Sequence, residues 1–469
     1  MIAARGFTFS VSVYALLHFI TYFVDVTFLE YSLSVFGILT LAFSGWLLPF
    51  KKFQLQVFLI AAALLVLLVT SDSLWSSILE GMRLMRDLIG LLLIVPMISW
   101  VLKEEPYIEE IMTAAHNLLD QSQKFYFGLM AMTQVISHFL LFGAVPMMYR
   151  FIDTFLHTHH DEAWENYKGT AILRSFALST MWVISIPSFV FAVDTLGATL
   201  WKSMLLGFVF AFAGTLLAVL FSRVEEKRYN VDFSATLQRE IDEAMKNSRN
   251  TRPWNRDTME FVLLFVSLFG GIFLVHYLTE LEFLLTIPLV IIGWTFLYFL
   301  VKRRSGHFVQ DNRQYFSEGI AKQPRQYSIL LAAGLLILSL NQSGIGVTVI
   351  NRLNDWISIV PVLNILFLLP FIMIFLGFIG LGPLAVIVLV TGVLQDVPLP
   401  YPPELIVLSI TSGSVMSIIL SPFVMPLIIL SSINGLSGVR NGIRFNWQYA
   451  AAFYVLVQLF IQTVVHLPL

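Results

Sequence analysis

The stretch SGSVMSIILSPFVMPLIILSS, residues 412–432, decides how the chain is read. It lies in a run apolar enough for lipid, yet it carries six serines, one glycine and two prolines. A proline inside a helix removes a backbone donor and clashes with the preceding turn, so the helix opens there. In lipid the freed carbonyl and N–H groups need partners. Serine hydroxyls, a bound ion or a solute would supply them. The stretch therefore reads as an interrupted membrane helix.

The rest of the chain agrees with that reading. Of 469 residues, 57% are hydrophobic and 12% charged, with a mean hydropathy of +0.80. Soluble domains carry about 25% charged residues. The composition implies an all-α polytopic membrane protein, with about 10–12 transmembrane helices at roughly 20 apolar residues each. Alternating strand patterns are absent, which argues against a barrel. A net charge of −2 gives no basic footprint for nucleic acid. Without cysteines there is no disulfide, thiolate chemistry or cysteine-based metal site. The first apolar run, after Arg5, reads as a retained span rather than a signal peptide.

Apolar runs fall near 7–25, 29–49, 53–71, 87–102, 125–148, 171–195 and 199–222, then 258–277, 283–301, 326–344, 358–395, 405–433 and 446–466. Between the two sets, Arg223 to Asp257 holds eight Lys/Arg and seven Asp/Glu. The expected organisation is a first transmembrane repeat (1–222), a cytoplasmic linker (223–257) and a second repeat (258–469). Basic residues near span ends mark the cytoplasmic side. These are Arg5, Lys51-Lys52, Arg223 with Lys227-Arg228, Lys302-Arg303-Arg304, and Arg440 with Arg444. Seven full crossings would put the linker outside, so one run must enter and leave on the same side. Residues 125–148 fit a re-entrant hairpin with its tip near Ser137. Residues 358–395 fit a second hairpin turning between Gly377 and Pro383. The protein is then expected in the cell membrane, N-terminus cytoplasmic and C-terminus outside. The segments 76–87 and 346–356 look interfacial, and 104–124 looks like a surface helix.

Internal similarity supports a duplication. MSIILSPFV (416–424) resembles MWVISIPSFV (181–190), LLVLLVTSDS (64–73) resembles LLILSLNQSG (335–344), and LLLIVPMI (91–98) resembles ILFLLPFI (365–372). The three matches keep the same order. Many secondary transporters are built from such repeats, with the binding site where two discontinuous helices meet.

The candidate binding residues follow. The first break offers Ser179, Thr180, Ser185, Pro187 and Ser188, with Asp194 beyond it. The second offers Ser412, Gly413, Ser414, Ser417, Ser421 and Pro422, with Asn434 later. Hydroxyls and carbonyls are hard oxygen ligands, and half-helix N-termini favour anions. An ionisable residue within the membrane marks function by default. Asp194 is thus the candidate for coupling to Na⁺ or H⁺, unless it is a boundary residue. Ser137 and His138 are candidates to line the site. Arg174 is expected to mark a cytoplasmic helix end. The HTHH cluster at 157–160 reads as a solvated loop. No hydrolase or nucleotide motif is present, so no catalytic residue, enzyme activity, resident cofactor or metal site is expected.

With its paired hairpins and interrupted helices, STMWVISIPSFV (179–190) and SGSVMSIILSPFV (412–424), the chain resembles the ion transporter superfamily. That superfamily includes divalent anion/sodium symporters, arsenite permeases and sodium/proton antiporters. The symporters' Ser-Asn-Thr signatures are not present. The resemblance implies elevator-type alternating access and ion-coupled movement of a small polar or anionic solute. The expected partners are the lipid bilayer, a small-molecule solute and, for a fixed scaffold, a second copy in a homodimer. Two rival readings stand beside it. One is a flippase for a lipid-linked precursor, with Arg83 and Arg86 near lipid phosphates. The other is a membrane-embedded enzyme using His138 and Asp194.

Overall fold

A computed structural model describes residues 2–105, 107, 121–156, 159–237, 256–357, 359–360 and 363–466, without the side chains of 154–155 and 256–258. Among these, every regular element is helical. By length and composition ten helical segments qualify to cross a membrane, which makes this a multi-pass membrane protein. Their ends carry ordinary stop and start signals. Pro187, Pro324, Pro383 and Pro403 open helices at the first position, where the missing N–H costs nothing. The Asp161 carboxylate caps its helix by accepting from the Trp164 N–H at 2.9 Å. Asn230 and Gly435 end theirs in the left-handed region.

The buried side chains fall into two packing units. One gathers Ile2–Phe23, Thr27–Leu47, the helices between 74 and 103, Arg256–Thr279, Phe283–Val301 and Pro324–Gln342. The other gathers most of 125–181, 210–237 and 350–461, with Leu59, Ile329 and Ala332, while Phe139, Val388 and Val407 belong to the first. Each unit draws on both halves of the chain. The segment Pro187–Thr195 bridges them, with Phe189 and Val190 in the first unit and Ala192 in the second.

The second unit holds the elements that the prolines and glycines foreshadow. Ser122–Leu140 and Ala144–Phe155 are joined by a tight turn at Leu141–Gly143. Length alone would let 122–153 cross as one rod. The contacts exclude that. Tyr167 donates to the Ser122 carbonyl at 2.5 Å, while Tyr149 donates to Glu165 at 2.6 Å. Residues 122 and 149 would lie about 40 Å apart on a straight helix, yet both reach neighbouring residues of Glu162–Ser179. The segment is therefore a hairpin, its turn four residues past Ser137. Ile365–Phe378 and Pro383–Leu394 form the second hairpin, turning at 379–382, inside the expected interval.

Each hairpin is followed by an interrupted helix. Glu162–Ser179 breaks at 180–186 and resumes as Pro187–Thr195. Pro403–Leu420 breaks at 421–424 and resumes as Met425–Asn434. The two run antiparallel. Glu162, at the start of the first, pairs with Arg440 and Arg444, just past the end of the second. Glu404, at the start of the second, accepts from the Thr199 N–H, just past the end of the first.

Several sequence expectations move. The first interrupted helix begins nine residues before the apolar run at 171. The match of 91–98 with 365–372 joins unlike elements. The former lies in Arg86–Ile94 and the turn after it, whereas the latter opens the second hairpin. Ile345–Ile357 bends 74° from Pro324–Gln342, as an interfacial helix would. Leu74–Arg83 covers most of the other interfacial candidate. Most of 104–124 and of the charged linker, and His157 and Thr158, lie outside the described residues.

Candidate functional site

The sequence predicts breaks that offer hydroxyls and bare carbonyls to a ligand. In the structure two of these serines bond to the hairpins. The Ser185 hydroxyl donates to the His138 carbonyl, at the end of the first hairpin's leading arm. The Ser421 hydroxyl donates to the Gly377 carbonyl at 2.9 Å, at the equivalent place in the second hairpin. Both carbonyls lie in the last turn of a hairpin arm, where intrahelical partners run out, and Gly377 also accepts from the Gly380 N–H at 3.1 Å. Ser179, Thr180 and Ser412 bond back to the Phe176, Ala177 and Ser409 carbonyls of their own helices. The opened backbone is also covered. A Cβ at Gly207 would overlap the Met181 carbonyl oxygen, and one at Gly442 would come within 2.8 Å of the Leu420 oxygen. Only a glycine lets the next helix approach so closely.

The remaining candidates are spread out. Pro187 and Ser188 are buried at the start of the resumed helix, and Pro422 packs under Gly438. Gly413 abuts Pro370 and Met373 in the second hairpin. Ser414 and Ser417 are buried with no hydrogen-bond partner. Ser137 donates to the Thr133 carbonyl. His138 is buried among the rings of Trp182, Phe265 and Phe269, with Nδ1 3.0 Å from the Gln134 carbonyl. The Asp194 carboxylate accepts from the Leu284 N–H at 3.0 Å, at the N-terminus of Phe283–Val301. It acts there as a helix cap that ties the interrupted helix to the first unit. His138 and Asp194 are thus engaged with different elements. Asn434 is hydrogen-bonded to Asn441. Among the described residues no group of three or more His, Asp or Glu is placed to hold a metal.

What converges is the hairpin tips. They wall a cavity of about 490 Å³. Phe139 to Gly143 come from the first tip, Gly380 and Gly382 to Ala385 from the second. Phe423, Met425, Ile428 and Ile429 come from the second break and the helix after it. Leu92, Pro96 and Ser99 close one side, and Lys322, Gln323, Arg325, Gln326, Ile329 and Leu330 close the other. None of the candidate serines at the breaks lines it, and of the two breaks only the second contributes, through Phe423 and the helix that follows. Both tips depend on positive φ. Gly380 sits at 95° and Leu141 at 47°. A leucine there is strained by about 1–2 kcal/mol, the kind of strain that collects at working sites.

Polar residues that the apolar pattern hid lie on the first interrupted helix. Glu165, Lys168 and Arg174 are all buried. Lys168 Nζ is 2.7 Å from Glu165, and Arg174 pairs with Glu225 at 3.0 Å. Arg174 also donates to Asn446 and the Phe445 carbonyl, and stacks over Tyr449. It is a buried internal strut rather than an exposed residue at a helix end. The signal is present in the run EAWENYK, where two glutamates and a lysine recur at every third position ahead of an apolar run. The same spacing fits a solvated helix equally well.

No family model matches the chain, and no curated relative matches it.

Proposed function

We propose that this membrane protein is a secondary transporter whose solute sits between the two hairpin tips. The observation that carries the reading is the cavity shared by both tips, the second break and the first packing unit. Such a site changes sides if the second unit moves against the first, as elevator-type alternating access requires. The bridging segment Pro187–Thr195 and its cap at Leu284 are where that motion would be felt. Coupling to Na⁺ or H⁺, a cell-membrane location and repeats related by duplication belong to the same proposal.

The cysteine-free sequence makes the test clean. Gly143→Cys and Gly382→Cys are each labelled in proteoliposomes with a charged thiol reagent. Labelling rates that shift when a Na⁺ or proton gradient is imposed, together with gradient-driven uptake of an organic-anion mixture, are the expected outcome. Rates that ignore every gradient, with no uptake, would remove the proposal.

One observation favours a second reading. Phe423, Met425 and Ile428 border the cavity and are substantially exposed, so this wall reaches the protein surface. A lateral opening suits movement of a lipid-linked precursor. A flippase assay with labelled lipid would then report transfer that the soluble solutes do not.

A further inference from the structure

The cavity is not uniform. Most of its wall is apolar: Leu92, Phe139, Leu140, Ile329, Leu384 and Ile429 give a solute no hydrogen bond from their side chains. Its cations sit together, at the start of Pro324–Gln342. Lys322 and Arg325 both line it. Among the described residues, neither is ion-paired to a carboxylate. Arg325 donates once, at 3.4 Å, to the Gly380 carbonyl of the second tip, and its buried Nε has no partner.

An orphaned guanidinium N–H is costly. Leaving a buried donor unsatisfied destabilises the fold, and more so when the group is charged. Two other half-buried arginines, Arg83 and Arg440, also leave Nε without a partner, but each is ion-paired to a glutamate, and the fully buried Lys168 and Arg174 pair with Glu165 and Glu225. Arg325 is left open toward a cavity, and a guanidinium presents its donors in a fork that matches a carboxylate. The cavity volume falls in the range of small-molecule sites, about 300–1,000 Å³. An ion held by its charge alone, such as a small inorganic anion, would leave the apolar wall unused.

We propose that the solute is an organic acid with an apolar body, its carboxylate held by Arg325 and Lys322 and its body lying against the hairpin tips. This rests on the transporter reading for movement of the solute, but not for its binding.

The test uses three probes on the full chain in neutral-lipid nanodiscs. Phenylpropionate has both parts, propionate lacks the body, and phenylpropanol lacks the charge. Equilibrium binding is expected to favour phenylpropionate at least tenfold over either of the others. Arg325→Gln should lower phenylpropionate affinity at least tenfold while leaving phenylpropanol unchanged, which also shows that the variant is folded. Arg325→Lys should recover part of the loss, and Leu384→Asn should weaken phenylpropionate more than propionate. Equal binding of phenylpropionate and phenylpropanol, or an affinity that ignores Arg325, overturns the proposal. So does Arg325-dependent binding of an anionic lipid, in a parallel arm with phosphatidylglycerol nanodiscs, when phenylpropionate does not bind. Binding of phenylpropionate without gradient-driven uptake keeps the site and removes the transport reading. Uptake of other solutes that phenylpropionate does not inhibit keeps transport and removes the site.

Discussion

The two interrupted helices have the same plan and opposite chemistry. Pro403–Leu420 is apolar apart from hydroxyl residues and the glutamate at its start, and nearly all of it is buried. Glu162–Ser179 carries two glutamates, a lysine, an asparagine and an arginine, and it is just as buried. Position in the fold, not polarity, decides burial here. The apolar helix gains from close packing, since lipid tails are as apolar as its neighbours. The polar one is tolerable only because each charge meets a partner: Glu165 with Lys168, Arg174 with Glu225. Buried ion pairs add little net stability, yet losing one partner is severe.

That contrast breaks first at Arg174. Arg174→Met leaves the Glu225 carboxylate largely buried and alone, so it should destabilise by about 3–5 kcal/mol. Arg174→Met with Glu225→Leu should recover most of the loss. Unfolding midpoints in mild detergent, measured for single and double variants, check this. Equal midpoints would show the pair is not coupled. The opposite helix offers the control. Ser417→Ala removes a buried hydroxyl that has no partner, and it should be neutral or slightly stabilising.

The breaks themselves differ in how closely the following helix presses on them. Gly207→Ala drives a methyl into the Met181 carbonyl and should cost about 1–3 kcal/mol, as overpacking does. Gly442→Ala meets the Leu420 oxygen at a longer distance and should cost less. Thermal melts of the two variants, side by side, rank the breaks. Reversal of the order would mean the second break is the tighter one.

Ser185→Ala and Ser421→Ala test whether the break serines belong to the hairpins. Each removes one hydrogen bond to a hairpin carbonyl and should cost about 1 kcal/mol. Hydrogen exchange should speed up at the tips, 141–143 and 379–382. Protection that falls only at the breaks would show that the hydroxyls hold their own helices instead.

These outcomes bear on what residues alone can tell. The interrupted helices and the second hairpin's turn are legible in the sequence because proline and glycine act locally, and the first hairpin is legible from the crossing count that the basic residues impose. Pro187 and Pro422 disrupt a helix wherever it packs. The purpose of the serines is not legible. A hydroxyl beside a break bonds equally well to a ligand or to a neighbouring carbonyl, and only the hairpin's position settles that Ser185 and Ser421 face His138 and Gly377. Arg325 stays hidden for the same reason. Next to Lys322 at the start of a span it looks like any interfacial cation, until the second tip folds over it. The charges of 162–179 look like those of a loop or a helix end, because sequence carries no record of which far helix supplies a counter-ion.

The smallest expected effect lies at the tips, where glycine stands in one turn and leucine in the other. Leu141, at φ 47°, adopts a conformation that side chains disfavour, while Gly380 adopts its own freely. Leu141→Gly trades strain relief against added chain entropy and lost packing, so its stability should stay within about 1 kcal/mol of the parent. Leu141→Ala keeps the strain and loses the packing, and should be the less stable of the two. Only a residue held at positive φ gives that order, since at ordinary φ alanine outranks glycine. Gly380→Ala should lower the melting temperature, because it introduces at the second tip the strain already present at the first. If Leu141→Ala melts above Leu141→Gly, the first turn is relaxed and the two tips are not built alike.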